Sequence, residues 1–206
     1  MPDGPPTDNG LAALAGALMQ SRQTVLPKRL AASGPSAGEL GMMLDAAATA
    51  PDHGQLLPWR FVQVPAAARA GLAEVFGAAL IERDAGAMAE QVAQARAKAH
   101  SAPLLLLFIV DGVCGDADID LFERTLSAGR AVQNLLLMAT ALSYGSALTS
   151  GKALKSTTLR ALFGLAPGEH ALCFVSIGTA QSRRKSRARP VPGDFVTRLL
   201  VGAEPA

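Results

Sequence analysis

Two kinds of apolar pattern run along this chain, and they predict different elements. Leu11 to Gln20 is apolar and alanine-rich, which predicts a first helix. After a loop with Pro27, Gly34 and Pro35, Ser36 and Glu39 form a capping-box signature. The helix it opens runs to about Thr49 and stops at Pro51. Trp59 to Val64, entered through Pro58, predicts a short strand, and Pro65 to Ala99 is helical in composition with a break near Gly86. Pro103 to Val110 is a continuous apolar run bounded by Pro103 and Gly112, as expected of a strand buried on both faces. Asp118 to Ser143 predicts a long helix with Leu135, Leu136, Met138, Ala139 and Leu142 on its apolar side. Gly145 to Gly151 reads as a small-residue loop, and Ser156 to Phe163 as a short helix that Gly164 stops. His170 to Ile177 predicts a second buried strand ending in Gly178, and the remainder is basic, then proline-rich, then apolar at Phe195, Val196, Leu199 and Leu200. Long helices with a few strands predict an α+β layer fold. Residues 1–10, rich in Pro, Gly and Asp, read as a disordered tail before one domain over residues 11–206.

Composition adds a partner to this picture. Half of the 206 residues are hydrophobic, only 17% are charged, and the mean hydropathy is +0.25. Alanine accounts for much of that excess, and the rest implies apolar surface hidden between subunits, so a homodimer is expected. A net charge of +2 is too small to argue for nucleic acid. The cluster Arg183, Arg184, Lys185, Arg187 and Arg189 reads as a solvated loop, and 4% aromatic content offers no stacking platforms beside it. No apolar run is long enough for a membrane span, and the N-terminus has no cationic start of a signal peptide. Cys114 and Cys173 fit no metal or redox spacing, and as buried thiols they accord with a reducing cytoplasm.

Several kinds of chemistry are excluded by spacing. Five residues separate Gly145 from Gly151, and Ala153 follows Lys152, so the loop cannot place a Walker lysine and a magnesium hydroxyl. No GxGxxG follows an early strand, no GxSxG elbow exists, and His53, His100 and His170 lack metal spacing. What remains is a set of cations and hydroxyls: Arg22-Gln23-Thr24 after the first helix, Thr149-Ser150-Gly151-Lys152, and Arg187 with Arg189. Guanidinium groups, hydroxyls and backbone N–H groups of a glycine loop are what a phosphate-bearing cofactor requires.

In order and spacing these segments resemble the nitroreductase family, nearest its small YdjA-like branch. The resemblance covers about Leu11 to Leu200. It is carried by Arg22-Gln23-Thr24, Ala50-Pro51-Asp52-His53, Pro58-Trp59-Arg60-Phe61, Gln133-Asn134-Leu135, Thr149-Ser150-Gly151 and Ile177-Gly178-Thr179. It implies a central, mostly antiparallel sheet flanked by helices, an intertwined homodimer, and FMN at the dimer interface. By the family pattern, Arg22 and Thr24 reach the flavin phosphate or ribityl chain, with Gln23 between them. Thr49 and His53 contact the cofactor from the partner subunit. Thr149, Ser150 and Gly151 form the other flavin-binding loop, and Arg187 and Arg189 resemble a C-terminal phosphate pair. The family typically has Arg-Ser where this chain has Gln23-Thr24. It has an aromatic residue within Ser146-Ala147-Leu148 and an arginine at Thr149. The missing cations imply weaker FMN binding, unless Arg187 and Arg189 compensate.

The implied reaction uses NADH or NADPH as donor and a small electron-poor acceptor, such as a nitroaromatic or quinone, in ping-pong order. The flavin carries the chemistry, so no catalytic side chain and no metal is expected. Three alternatives stay open on the same residues. One is a reductive dehalogenase or other specialised flavin enzyme, with Ala66 to Ala99 as a lid rather than ordinary packing. The others are a non-catalytic flavin-binding protein and a dimeric domain without cofactor.

Overall fold

The computed structural model describes residues 9–182 and 188–199. Its framework is one sheet of five strands: β1 (Leu30–Ala31), β2 (Trp59–Gln63), β3 (Leu104–Asp111), β4 (Tyr144–Thr149) and β5 (Glu169–Ala180). All named strand pairs are antiparallel, with β3 between β2 and β5. β4 takes the other edge of β5, and β1 pairs with its last two residues. The register slips between Phe108 and Ile109, leaving Leu172 as the extra residue of a bulge on β5.

Both faces of the sheet are covered, as the continuous apolar run in β3 requires. Leu104, Leu106, Phe108 and Val110 pack with Val175 and Ile177 under α2 (Ala37–Ala48) and α5 (Leu121–Ala141). Leu105, Leu107, Ile109 and Phe174 face the other way, toward Leu72 and Ala73 of α3 (Arg69–Arg83) and Leu159 of α6 (Thr157–Leu162). Each fully buried leucine here contributes about 1.5–3 kcal/mol. The capping box forms as predicted: Ser36 Oγ accepts from the Glu39 amide, and the Ser36 amide donates to Glu39 Oε2 at 2.8 Å. Asp120 caps α5 by accepting from the amides of Phe122 and Glu123. Gly164, at φ +58°, ends α6 as expected.

Four expectations need adjustment. α1 spans Asn9–Ser21, so it begins inside the stretch read as a tail, whose remainder lies outside the described residues. Two-residue β1 had no apolar signature of its own. Cys114 is only half-buried, whereas Cys173 is buried and its thiol is pushed up to about 11 by desolvation. The largest correction is Gly145 to Gly151, read as a loop. Most of it is strand β4, pairing with β5 from Tyr144↔Thr179 to Thr149↔Phe174. Its small residues answer to crowding: a Cβ at Gly145 would lie 2.9 Å from Leu30 Cδ2 and 3.0 Å from Val25 Cβ.

Ala66 to Ala99 resolves into α3, a turn at Asp84–Ala87, and α4 (Ala89–Ala97). α3 is ordinary packing on the sheet. α4 lies against α3, joined by Arg96 Nη2 to Glu74 Oε2 at 2.7 Å.

Arg60, part of the Pro-Trp-Arg-Phe motif, holds the start of β5. Its Nε and Nη2 donate to Glu169 at 2.6 and 2.9 Å, and Arg160 donates to the Glu169 carbonyl. The hydrogen bonds from Arg60 keep the Glu169 carboxyl below its usual range. A carboxylate lowered on folding stabilises above its unfolded pKa, and that stability is lost as pH falls through the folded value. Glu169→Gln is expected to cost about 1–3 kcal/mol at pH 7, less than a fully buried pair because the Arg60 side chain is 43% exposed. Urea unfolding should show the difference from native protein shrinking as pH falls below about 4. A cost that persists undiminished there would contradict the assignment.

Candidate functional site: a cationic cleft and a groove on the opposite face

A cleft of about 580 Å³ opens where β4 ends, on the α3 side of the sheet. That is within the range of small-molecule sites. Its floor is apolar: Phe76, Leu80, Leu105 and Phe174 among others, with the Phe76 and Phe174 rings edge-on at 5.5 Å. Its walls are built from Thr149-Ser150-Gly151-Lys152, from α4 and from Leu26-Pro27-Lys28.

Arg22, Gln23 and Thr24 do not line the cleft, but the chain they begin leads into it. Thr24 forms a parallel bridge with Ser146, and the Val25 amide donates to the Ser146 carbonyl at 2.8 Å. The segment is thereby laid along β4, and Leu26 to Lys28 arrive beside Thr149. Arg22 and Gln23 are half-buried and Thr24 is exposed. Arg189 joins them: its Nη2 donates to the Arg22 carbonyl at 2.9 Å, which brings two guanidinium-bearing segments together. Arg187 lies outside the described residues.

Gly151 is extended, at φ −177° and ψ 173°. A Cβ built on it would meet nothing within 4 Å, so the space beside it is open. Its carbonyl accepts from Leu154, while its N–H makes no hydrogen bond to a described residue. A backbone donor without a described partner at the lip of an apolar cleft is suited to an acceptor atom on a bound molecule.

Thr49 and His53 are not brought to this cleft within one chain. Thr49 caps α2 on the other face of the sheet, where its hydroxyl donates to Ala46 and accepts from Asn134 of α5 at 3.1 Å. His53 Nδ1 lies 3.1 Å from Glu123 Oε1, and Asp52 accepts from Ser127 and from the Leu57 amide. These residues border an open groove of about 700 Å³ along α5, lined by Pro51, Phe122, Leu126, Gly129 and Gln133 among others. Phe122 is 84% exposed there, which no aromatic side chain gains from in water.

Sequence reasoning missed the α4 wall. Gln91, Gln94 and Lys98 all line the cleft. Their spacing of three and four puts them on one helix face, a signal present in the sequence but hidden by the low apolar contrast of α4. Lys28 and Arg83 were also missed. Among the described residues no cluster of three metal ligands occurs, and no helix is long and apolar enough to cross a membrane.

With this geometry in place, comparison with known proteins is decisive. Residues 19–179 match the sequence profile of the nitroreductase family. The chain belongs to that family. A Haemophilus influenzae protein carrying the name "Putative NAD(P)H nitroreductase" is 33% identical over 84% of this chain and 93% of its own length. The Escherichia coli K12 protein "Putative NAD(P)H nitroreductase YdjA" is 29% identical over 82% of this chain and 91% of its own. The structure of an NADPH:FMN oxidoreductase of Vibrio harveyi, complexed with NAD+, superposes with a TM-score of 0.70 at 16% identity, covering 91% of this chain and 77% of that one. The nitroreductase-like fold and the YdjA-like resemblance are thus both established, and the protein is an oxidoreductase. Within this nitroreductase the two groups of motif residues lie on opposite faces of one sheet.

Proposed function

We propose that this nitroreductase is an FMN-dependent NAD(P)H oxidoreductase that reduces nitroaromatic, quinone or similar electron-poor acceptors. The observation that carries the reading is the cleft edge at Thr149-Ser150-Gly151. The segment that sequence predicts to meet a flavin borders an apolar cavity of suitable size and offers it a free N–H. The Vibrio harveyi protein of the same fold is named for FMN and NADPH.

The residues fit an FMN-sized anion with an aromatic body. Arg22 and Arg189 would hold the phosphate with the Thr24 hydroxyl, and Arg189, held to the Arg22 carbonyl, supplies charge lost where Gln23 replaces the usual arginine. Phe76 and Phe174 exclude water from the cleft floor. Thr149 and Ser150 offer exposed hydroxyls, and the Gly151 N–H offers a donor that costs no reorganisation when negative charge develops beside it. When bound, FMN supplies hydride acceptance from NAD(P)H and delivery of electrons to the acceptor. One cleft serving both molecules in turn gives ping-pong kinetics. No general acid is assigned, since the described residues lining the cleft include no carboxylate or imidazole.

A homodimer is part of the same reading. The α5 groove and the apolar side chains around it, Phe122 and Leu126 on α5 with Met42 on α2, need cover. A second copy seated there would carry Thr49 and His53 of one chain toward the cleft of the other. The free thiols accord with the cytoplasm as compartment. Phe122→Asp is expected to give monomer by sedimentation and to lose most of its bound FMN, against one FMN per chain in the native dimer. A monomeric variant that keeps full flavin would show that the site is complete within one chain.

A further inference from the structure

The cleft has a charge character that the flavin alone does not account for. Lys28, Arg83, Lys98 and Lys152 all line it, and no Asp or Glu does. The chain as a whole has 19 basic and 17 acidic residues, so four against none is a local departure from near balance. Among the described residues none of the four is in an ion pair. The nearest acids in sequence are Glu82 and Asp84 beside Arg83 and Glu90 beside Gln91, and none of the three lines the cavity. Glu90 accepts from Gln94, and Asp84 accepts from the Gly86 amide.

We propose that the cleft selects an anionic aromatic acceptor: a ring for the apolar floor, carrying a carboxylate or sulfonate that the rim cations receive. This rests on the reading of the cleft as the flavin and acceptor site. A flavin phosphate carries at most two negative charges. Arg22 and Arg189, outside the cleft lining, already match that number. The four rim cations are therefore surplus to the flavin phosphate, set around an apolar floor that focuses their field on whatever enters. All four are exposed, so each alone is weak, and the effect is collective. Each turnover with a nitroarene consumes one NAD(P)H and one proton and yields nitroso product, water and NAD(P)+.

The test compares 4-nitrobenzoate with 4-nitrobenzamide, which share ring and nitro group and differ in charge. In the native flavin-loaded protein the KM for the benzoate is expected to be at least tenfold lower at low salt, and the gap to close in 0.5 M NaCl, where the screening length is only a few ångströms. The Lys28→Glu/Lys98→Glu variant should lose the preference or reverse it. Equal KM values in native protein would overturn the proposal. So would a variant whose KM rises for NADPH but not for the benzoate, since the cations would then serve the nucleotide phosphate. Calorimetric titration with both compounds, without electron donor, reads the same preference independently of turnover. An inactive protein that still prefers the benzoate would thus count against the flavin reading and not against the anion site.

Discussion

Purified Gly151→Leu protein is expected to be folded and nearly colourless. The backbone at Gly151 is extended, so any residue adopts it without strain, and a Cβ there touches nothing within 4 Å. Folding therefore loses little, and the thermal midpoint should stay within a few degrees of native. Gly151 lines the cleft, so a leucine side chain there would crowd its lip beside Thr149 and Ser150, where the cofactor is proposed to lie. Forcing a ligand and a side chain into one space costs typically about 1–3 kcal/mol, or roughly a 10- to 100-fold loss in affinity. FMN titration of the apoprotein reads that loss directly. Gly151→Ala should lose much less, since a methyl group leaves most of the space. A leucine variant that keeps native flavin affinity would place the cofactor elsewhere.

The largest effect on stability is expected at Arg124. This guanidinium is 1% exposed and faces no carboxylate: Nε donates to the Ile119 carbonyl at 2.8 Å, Nη2 to Asp116 at 2.6 Å, and Nη1 to Cys114. It fastens the loop between β3 and α5 from inside. Arg124→Ala leaves three inward-facing carbonyls without donors and opens a cavity, for an expected cost of about 3–5 kcal/mol. For a chain of this size that is a fall of roughly 6–20 °C in thermal midpoint. Arg124→Lys should recover little, because one ammonium cannot reach three carbonyls as the fork does. The same loop packs on the His53 turn, where Ile119 Cδ1 lies 2.9 Å from a Cβ built on Gly54. Loosening it should disturb the α5 groove before the cleft. A midpoint unchanged by the alanine substitution would refute the role given to this arginine.

Arg124 also illustrates what the sequence could and could not convey. Elements whose apolar period was strong were legible: β3, α5 and the middle of β5 appear where the hydrophobic runs lie, and Ser36 and Gly164 act as the caps they resemble. β4 was not, because Gly145, Ser146 and Ala147 have the composition of a loop. Gly145 is small because Val25, Leu30 and Ala180 crowd it, a tertiary cause with no local trace. Buried Arg69 and Arg124 leave no trace in the sequence for the same reason, since only the fold reveals which carbonyls surround them. At the site, Thr149 to Gly151 could be found by motif. The α4 wall was hidden by the low apolar contrast of that helix, and the rim cations could not be grouped because Lys28, Arg83 and Lys98 come from three separate segments. That Thr49 and His53 sit on the far face of the sheet is likewise invisible to motif order, and within one chain it separates residues that sequence placed in one site.

A flavin bound in this cleft is expected to be reduced by NAD(P)H. The direct measurement is anaerobic mixing of the FMN-loaded protein with NADH and with NADPH, following the visible flavin absorbance. Loss of that band with at least one nucleotide, restored on adding 4-nitrobenzoate, is the predicted result. A flavin band that neither nucleotide bleaches would contradict it and leave a flavin-binding protein without this activity.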